Sequence, residues 1–281
     1  MSRHRSPRPG PEKWPEKAYK NLDFLTSADA RAIRVLCEFV EPQARFRKQG
    51  VRDTVVFFGS ARTPDPETAQ ERYDELLRVR AHGDHSEELD REVAQAEHAL
   101  KLSRYYGDAD ELAERLTHWS RALPNKQHRF AVCSGGGPGI MEAANRGALR
   151  AGGKSVSLNI SLPHEQLANP YQTHELAFEF HYFFVRKFWF IYLAKALVVF
   201  PGGYGTLDEL FEVLTLIQTN KTRKHMPVVM YGSEYWNSLI RFETLVEWGM
   251  IDAEDLKLFK VCSSVDEAFD HLTSELTRIY L

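Results

Sequence analysis

The sequence predicts an α/β fold: a Rossmann-like, doubly wound parallel sheet with an additional helical insertion. Three observations carry that prediction. From Arg129 onward, short runs rich in Val, Ile and Phe alternate with segments of helical period, as parallel strands do with their crossover helices. Two of those runs, "FAVCSGGG" and "ALVVFPGG", pass straight into glycine clusters and then into helices. The chain has 281 residues, 43% hydrophobic and 27% charged, enough for one large domain with a buried core.

The elements follow in chain order. Residues 1–22 are basic and proline-rich, lack an apolar signal core and read as a disordered tail, leaving 23–281 as a single domain. "SADARAIRVLCEFVEPQARFRK" (27–48) has apolar residues at helical spacing. "DTVVFFGSAR" gives a strand from about Thr54 to Phe58 that ends in Gly59-Ser60. Residues 65–122, rich in Glu, Arg, Ala and Leu, predict an insertion of two or three amphipathic helices. Beyond them come the strand "FAVCSGG", the helix "GIMEAANRGALRAGG", the strand "SVSLNI" and the helix "VRKFWFIYLAKA", with "FEFHYFF" as a short strand or loop before it. The strand "LVVFPGG", the helix "TLDELFEVLTLIQTNK", the strand "MPVVMYG", the helix "EYWNSLIRFETLVEWG", the strand "LKLFKVCSS" and the helix "VDEAFDHLTSEL" complete the series.

Composition narrows the function. A net charge of −3 gives no electrostatic case for nucleic acid, and no apolar run approaches the roughly 20 residues that span a bilayer. Three scattered cysteines without a CxxC pair read as a reducing compartment, so a cytoplasmic protein is expected. The histidines show no metal-ligand spacing, and no metal is expected.

In a doubly wound sheet, ligands bind beyond the carboxyl ends of the strands. Gly59-Ser60, Ser134-Gly135-Gly136-Gly137, Asn159 and Pro201-Gly202-Gly203 stand at such ends and are expected to converge on one crevice. The first glycine loop, "CSGGGPGIMEAANRGA", offers free amides and a helix dipole to an anion, with Pro138 placed in the first helical turn. It is not a dinucleotide fingerprint. Ile140 takes the third glycine position, and Asn159 stands where the ribose-binding acid belongs. Glu142, early in the following helix, complements the dipole and stays a secondary candidate.

In the second loop, "PGGYGTLDE", Gly202, Gly203 and Gly205 expose amides, and the Thr206 hydroxyl can reach a phosphate oxygen. Thr206 and Glu209 also fit a capping box, with Thr206 as N-cap and Glu209 at the third helical position. Capping and chemistry both stand open for Glu209. Between the loops lies "FHYFFVRKFWF", where Arg186 and Lys187 are set among aromatics. Arg186 can hold a phosphate or ribose, and Phe183 and Phe184 are candidate base contacts.

"SGGGPGIME", then "RK", then "PGGYGTLDE" together resemble the LOG (Lonely Guy) family of nucleoside 5′-monophosphate phosphoribohydrolases, over roughly residues 51–275. The resemblance implies metal- and cofactor-independent hydrolysis of an N-glycosidic bond, a Rossmann-like fold and a homodimer. It implies Glu209 as the catalytic acid of the second motif, Arg186 as its arginine partner, and Gly202 to Thr206 as the phosphate loop. Where cytokinin-activating members carry Met-His before the Arg-Lys element, this chain has Phe183-Phe184-Val185. With the insertion at 65–122, that departure resembles the longer bacterial branch, whose substrates are ordinary purine or pyrimidine nucleotides. AMP is the first expected substrate and a cytokinin nucleotide the second. Members of the family have carried the label "lysine decarboxylase", for which this sequence offers no pyridoxal-phosphate signature. The rival readings are a non-catalytic nucleotide or cofactor carrier on the same fold and, more remotely, a single-strand DNA-binding module.

Overall fold

The computed structural model describes residues 16–82, 86–124, 130–161 and 167–281. Most of the tail expected over 1–22 lies outside them. Two compact units divide the chain, the first ending at Glu41 and the second running from Pro42 to Leu281.

The chain opens with α1 (Leu22–Thr26) and α2 (Arg31–Lys48), then enters the sheet at β1 (Thr54–Phe58). Helices α3 (Pro66–Ala81) and α4 (Glu87–Ala122) lead to β2 (Ala131–Ser134). Helix α5 (Ile140–Arg150), β3 (Ser155–Ile160), β4 (Ala177–Phe180), α6 (Phe183–Tyr192) and β5 (Ala194–Val199) follow. The last stretch is α7 (Tyr204–Gln218), β6 (Val228–Tyr231), α8 (Ser233–Leu239), α9 (Phe242–Glu247), β7 (Lys260–Cys262) and α10 (Val265–Tyr280).

Seven strands form one parallel sheet in the order β4-β3-β2-β1-β5-β6-β7. The chain builds outward from β1 to β4, returns through α6 to the centre, and builds the other half from β5. The switch point therefore lies between β1 and β5, the place where such sheets bind ligands. Every residue of β1 is buried, as a central parallel strand with helices on both faces requires.

Val55, Phe57, Val132 and Val198 face one side and pack with Tyr106, Leu112 and Leu116 of α4, Ala144 of α5 and Leu272 of α10. Each such large side chain taken from water stabilises the fold by about 1.5–3 kcal/mol. On the other side, Phe58 meets Phe190 of α6 edge-on, with ring centroids 4.7 Å apart. Phe46 packs on Phe178 and Trp189.

The region 65–122 is two helices, and only part of it is an addition. Leu76 of α3 forms a small separate cluster with Leu89, Val93 and Ala96 of the first half of α4. The second half of α4 belongs to the main core, because Tyr105 to Leu116 cover the sheet. A second departure concerns residues 234–249, which form two short helices broken at Ile240-Arg241 instead of one. The strand read in "LKLFKVCSS" shrinks to Lys260–Cys262, because Asp252 and Asp255 cap a 3-10 turn over Ala253–Leu258. Among the described residues, no helix is long and apolar enough to cross a membrane.

Helices α4 and α5 approach until Gly147 lies against the Asp110 backbone, where a Cβ would overlap the carbonyl. Buried Asp110 also takes Arg146 at 3.3 Å and Arg150 at 2.7 Å. By propensity alone, Gly147→Ala would gain about 1 kcal/mol in a helix interior. The overlap reverses that sign. The variant is expected to lose about 1–3 kcal/mol in urea unfolding; a gain in stability would show that the two helices separate freely.

Candidate active site

The three loops at the switch point are tied through the backbone of Ser60. Its N–H donates to the Pro201 carbonyl at 2.9 Å, and its carbonyl accepts from the Ile140 N–H at 3.1 Å. The Ser60 hydroxyl accepts from the Arg62 N–H at 3.0 Å. Gly139 makes this closure possible. It sits at φ 70°, and a Cβ there would strike the Ser60 carbonyl and Ala61. Gly59, Ser60, the first glycine loop and the second thus meet in one crevice. Pro138 lies outside the helix expected to contain it, because Gly139 is the N-cap of α5.

Helix α7 starts three residues earlier than a capping box allows. Gly203 is its N-cap with no side-chain cap, Tyr204 is the first helical residue, and Leu207 N–H closes the first helical bond on the Gly203 carbonyl at 3.0 Å. Thr206 is therefore the third helical residue and Glu209 the sixth, which removes the capping role for both. The amides of Tyr204, Gly205 and Thr206 precede the ladder and are left at the helix end, with the dipole behind them. Gly203 and Gly205 border open space, as an anion cradle requires, whereas the Thr206 side chain is buried beneath Gly202. The Gly202 carbonyl is held by the Tyr235 hydroxyl at 2.6 Å.

Glu209 projects inward from the second turn and is only 6% exposed. Its Oε1 lies 3.6 Å from Lys187 Nζ, and its Oε2 is buried without a hydrogen-bond partner among the described residues. Burial pushes the Glu209 carboxyl up to about 7; Lys187 and Arg186 pull it down, while Glu212 and Asp208 push it further up. Lys187 spans α6 and α7, its ammonium 2.7 Å from both Asp208 and Glu212. Burial works against that ammonium, yet the bonds to the two acids outweigh it and hold Lys187 above its ordinary range.

Arg186 lies over Phe190, its Nε donating to the Leu158 carbonyl at 2.7 Å and its Nη2 to the Gly135 carbonyl at 3.4 Å. Burial lowers its pKa, and the nearby charge of Glu209 opposes that shift. The structure brings Glu209, Arg186 and Lys187 into one electrostatic unit at the end of the sheet, between the two glycine loops.

Other candidates have internal duties. Ser134 is fully buried; its hydroxyl donates to Asn145 Oδ1 at 2.7 Å and accepts from the Gly136 N–H at 3.1 Å, so it serves the loop from beneath. Asn159 binds the Phe178 carbonyl and Gln172. Glu142 accepts the Tyr106 hydroxyl at 2.9 Å, which ties the loop helix to α4. Phe183 and Phe184 are 53% and 55% exposed, and the Phe184 ring lies 5.8 Å from that of Tyr182.

Sequence reasoning passed over three residues that shape the first loop. Asn169 donates to the carbonyls of Gly136 and Gly137, both at 3.0 Å, and Gln172 donates to Gly136 at 2.8 Å. Asn145, fully buried, joins Asn169, Ser134, Ser155 and Ser157. The one available signal was an amide on the apolar face of "IMEAANRGA".

The family model described as "Possible lysine decarboxylase" matches residues 141–272. A cytokinin riboside 5′-monophosphate phosphoribohydrolase of Rhodococcoides fascians is 29% identical over 168 residues, covering 58% of this chain and 81% of its own. Both matches are similarities to LOG-family proteins over the second half of the chain and, for the bacterial relative, over much of it. The LOG7 enzyme of Arabidopsis thaliana, which carries the same activity in its name, is 37% identical over 30% of this chain. The chain spans only 35%, 37% and 43% of the length of the first rice and Arabidopsis relatives it matches. Among solved structures, TM1055 overlays with a TM-score of 0.46 at 17% identity, covering 79% of this chain and 99% of its own. The molybdenum cofactor carrier protein of Chlamydomonas reinhardtii gives 0.42 at 16%, covering 80% and 99%.

Glu209 is held in this chain at a cost to stability. Its folded pKa of about 7 stands above the ordinary 4.5, so the folded state favours the protonated carboxyl, and stability falls as pH rises from 4.5 through 7. Glu209→Gln is expected to melt above wild type at pH 8, by up to about 3 kcal/mol, with the advantage vanishing toward pH 4.5. A variant that melts below wild type at both pH values would show that the carboxylate stabilises the fold.

Proposed function

We infer that the protein hydrolyses the N-glycosidic bond of a nucleoside 5′-monophosphate, giving free base and ribose 5-phosphate. The observation that carries this reading is Glu209: a buried carboxylate, one oxygen beside Lys187 and the other without a partner, one turn inside the helix that follows an open glycine cradle. The names of the relatives support the same chemistry.

The 5′-phosphate sits on the amides of Tyr204, Gly205 and Thr206, as an anion does at a helix N-terminus. That anchor places the ribose against α7. As the C1′–N bond breaks, its electron pair leaves with the base, which takes up a proton, and positive charge grows on the ribose ring. Ionised Glu209 stabilises that charge or takes the proton from the water that attacks C1′. Arg186 holds the phosphate or ribose from the other side. Phe183 and Phe184, in place of the Met-His of cytokinin-activating members, offer flat apolar faces to an ordinary base, and AMP is the first substrate proposed. A homodimer, as the family resemblance implies, is part of the same proposal.

Purified protein is to be incubated with AMP, GMP, CMP, UMP and isopentenyl-AMP, and free base and ribose 5-phosphate measured. Release from AMP above the others is expected. Tight nucleotide binding with no release from any would replace the hydrolase with a carrier. Glu209→Gln is expected to lose roughly 100- to 10,000-fold in kcat with nucleotide affinity retained. Arg186→Ala is expected to weaken both binding and turnover, and unchanged kinetics would remove it from the site.

The pH profile gives an independent test. Activity requires ionised Glu209, so kcat/KM is expected to rise through about pH 7 and flatten above it. The Lys187 charge pulls that carboxyl down, so Lys187→Met is expected to move the limb to higher pH. A limb that stays in place would mean that another group controls the rate.

A further inference from the structure

A cavity of about 680 Å³ opens at the opposite edge of the sheet from the glycine loops. Its walls come from the end of α2 and the segment before β1, from Lys154 just before β3, and from the last turn of α6. Arg47, Lys48, Arg52 and Lys154 line it, and no acid does. No ion pair of Arg47, Lys48 or Arg52 is present among the described residues. Lys154 donates to the Gln49 backbone and side-chain carbonyls at 2.7 and 3.0 Å, which fixes its ammonium at the cavity wall.

Two more cations stand at this edge. Lys195 pairs with Asp53 at 3.5 Å. Lys224 donates to the carbonyls of Ile191 and Tyr192, and its pKa is lowered by burial and then by the charge of Lys195. A chain with a net charge of −3 thus lines this opening with four cations and no acid among the lining residues.

Basic residues in the last turn of a helix commonly answer its terminal carbonyls, and that accounts for Arg47 and Lys48 on α2. Lys154 answers the Gln49 carbonyl at the same helix end, but that does not account for Arg52, beyond the helix. Nor does it explain the concave shape or the wall of Trp189 and half-exposed Tyr192.

We propose that this cavity is a second ligand site, for a small phosphate-bearing molecule, distinct from the glycine-loop site. Its volume falls in the range of roughly 300–1,000 Å³ typical of small-molecule pockets. Guanidinium forks and ammonium groups around one opening match the several oxygens of a phosphate or pyrophosphate better than a single carboxylate. Tyr192 offers a flat face to the organic part of such a molecule. A long polyanion is disfavoured, because the negative chain as a whole supplies no attraction beyond the pocket. The site does not depend on the hydrolase reading.

Pyrophosphate titrated into the full chain by calorimetry tests this. Wild type, Arg186→Ala, the charge-reversed pair Lys48→Glu/Arg52→Glu and the neutral pair Lys48→Gln/Arg52→Gln are compared, with thermal melting to confirm folding. The expected result is a binding event kept within about twofold in Arg186→Ala, weakened in the neutral pair, and weakened at least about tenfold in the reversed pair. Three results would overturn the proposal: no event sensitive to the reversal, loss of the same event in Arg186→Ala, or a mixed-sequence RNA oligonucleotide binding more tightly than pyrophosphate with the same sensitivity. The last would make the face a nucleic-acid surface.

Discussion

The backbone of Ser60 is the constraint on which the candidate site depends. A parallel sheet delivers its strand ends to one edge but does not fix the loops that follow them. Here one residue does so: its N–H takes the Pro201 carbonyl of the second loop, and its carbonyl takes the Ile140 N–H that begins the helix of the first. Both bonds lie at the switch point between β1 and β5. The two glycine loops therefore cannot drift apart independently. A substrate that spans them meets a preorganised crevice, which is how binding at a remote phosphate is converted into position at a reacting carbon.

The first loop has a second set of supports. Asn169 and Gln172 hold the carbonyls of Gly136 and Gly137 by hydrogen bonds. Asn145 locks Asn169 to the sheet through Ser134, Ser155 and Ser157. A buried polar cluster of this kind is tolerable only when every member is bonded, and then it is rigid. Tyr106 adds a tie from α4 through Glu142. The helix that looks like an appendage in the sequence thus braces both the core and the loop.

What the sequence made legible follows from periodicity and from glycine. Parallel strands buried on both faces read as apolar runs, and β1 lies at the residues the pattern predicts. Glycine clusters at strand ends announced the crevice because close loop approach leaves few alternatives. The capping box was misread for a definite reason. Thr-x-x-Glu before an apolar run has the same spacing whether the N-cap is Thr206 or lies three residues earlier, and only the φ and ψ of Gly203 decide. The Asn145 hub was illegible because its partners come from β2, β3 and the loop at 169, and no local pattern encodes such a meeting. The cavity beside Arg52 and Lys154 escaped notice because its cations come from segments about 100 residues apart in sequence.

Moving Glu209 from the third helical position to the sixth changes what an acid beside an anion site means. At the third position the carboxylate would turn back on its own helix end and compete with a phosphate for the same amides. At the sixth it lies more than a turn away, on the inner side of α7, where water is excluded and burial raises its pKa to about 7. Two opposing demands are then met by different neighbours. The amides at the helix end answer the anion, while Lys187 and Arg186 keep Glu209 from becoming fully neutral. Lys187 can do this without quenching the carboxylate, because its two short contacts go to Asp208 and Glu212 and its contact with Glu209 is the long one, at 3.6 Å. A carboxylate held this loosely by cations, with one oxygen unbonded, keeps its charge available for a positive centre that exists only in the transition state. For the proposed reaction, that asymmetry is what would separate a catalytic acid from a structural ion pair, and in this chain it comes from the spacing of Asp208, Glu209 and Glu212 along one helix.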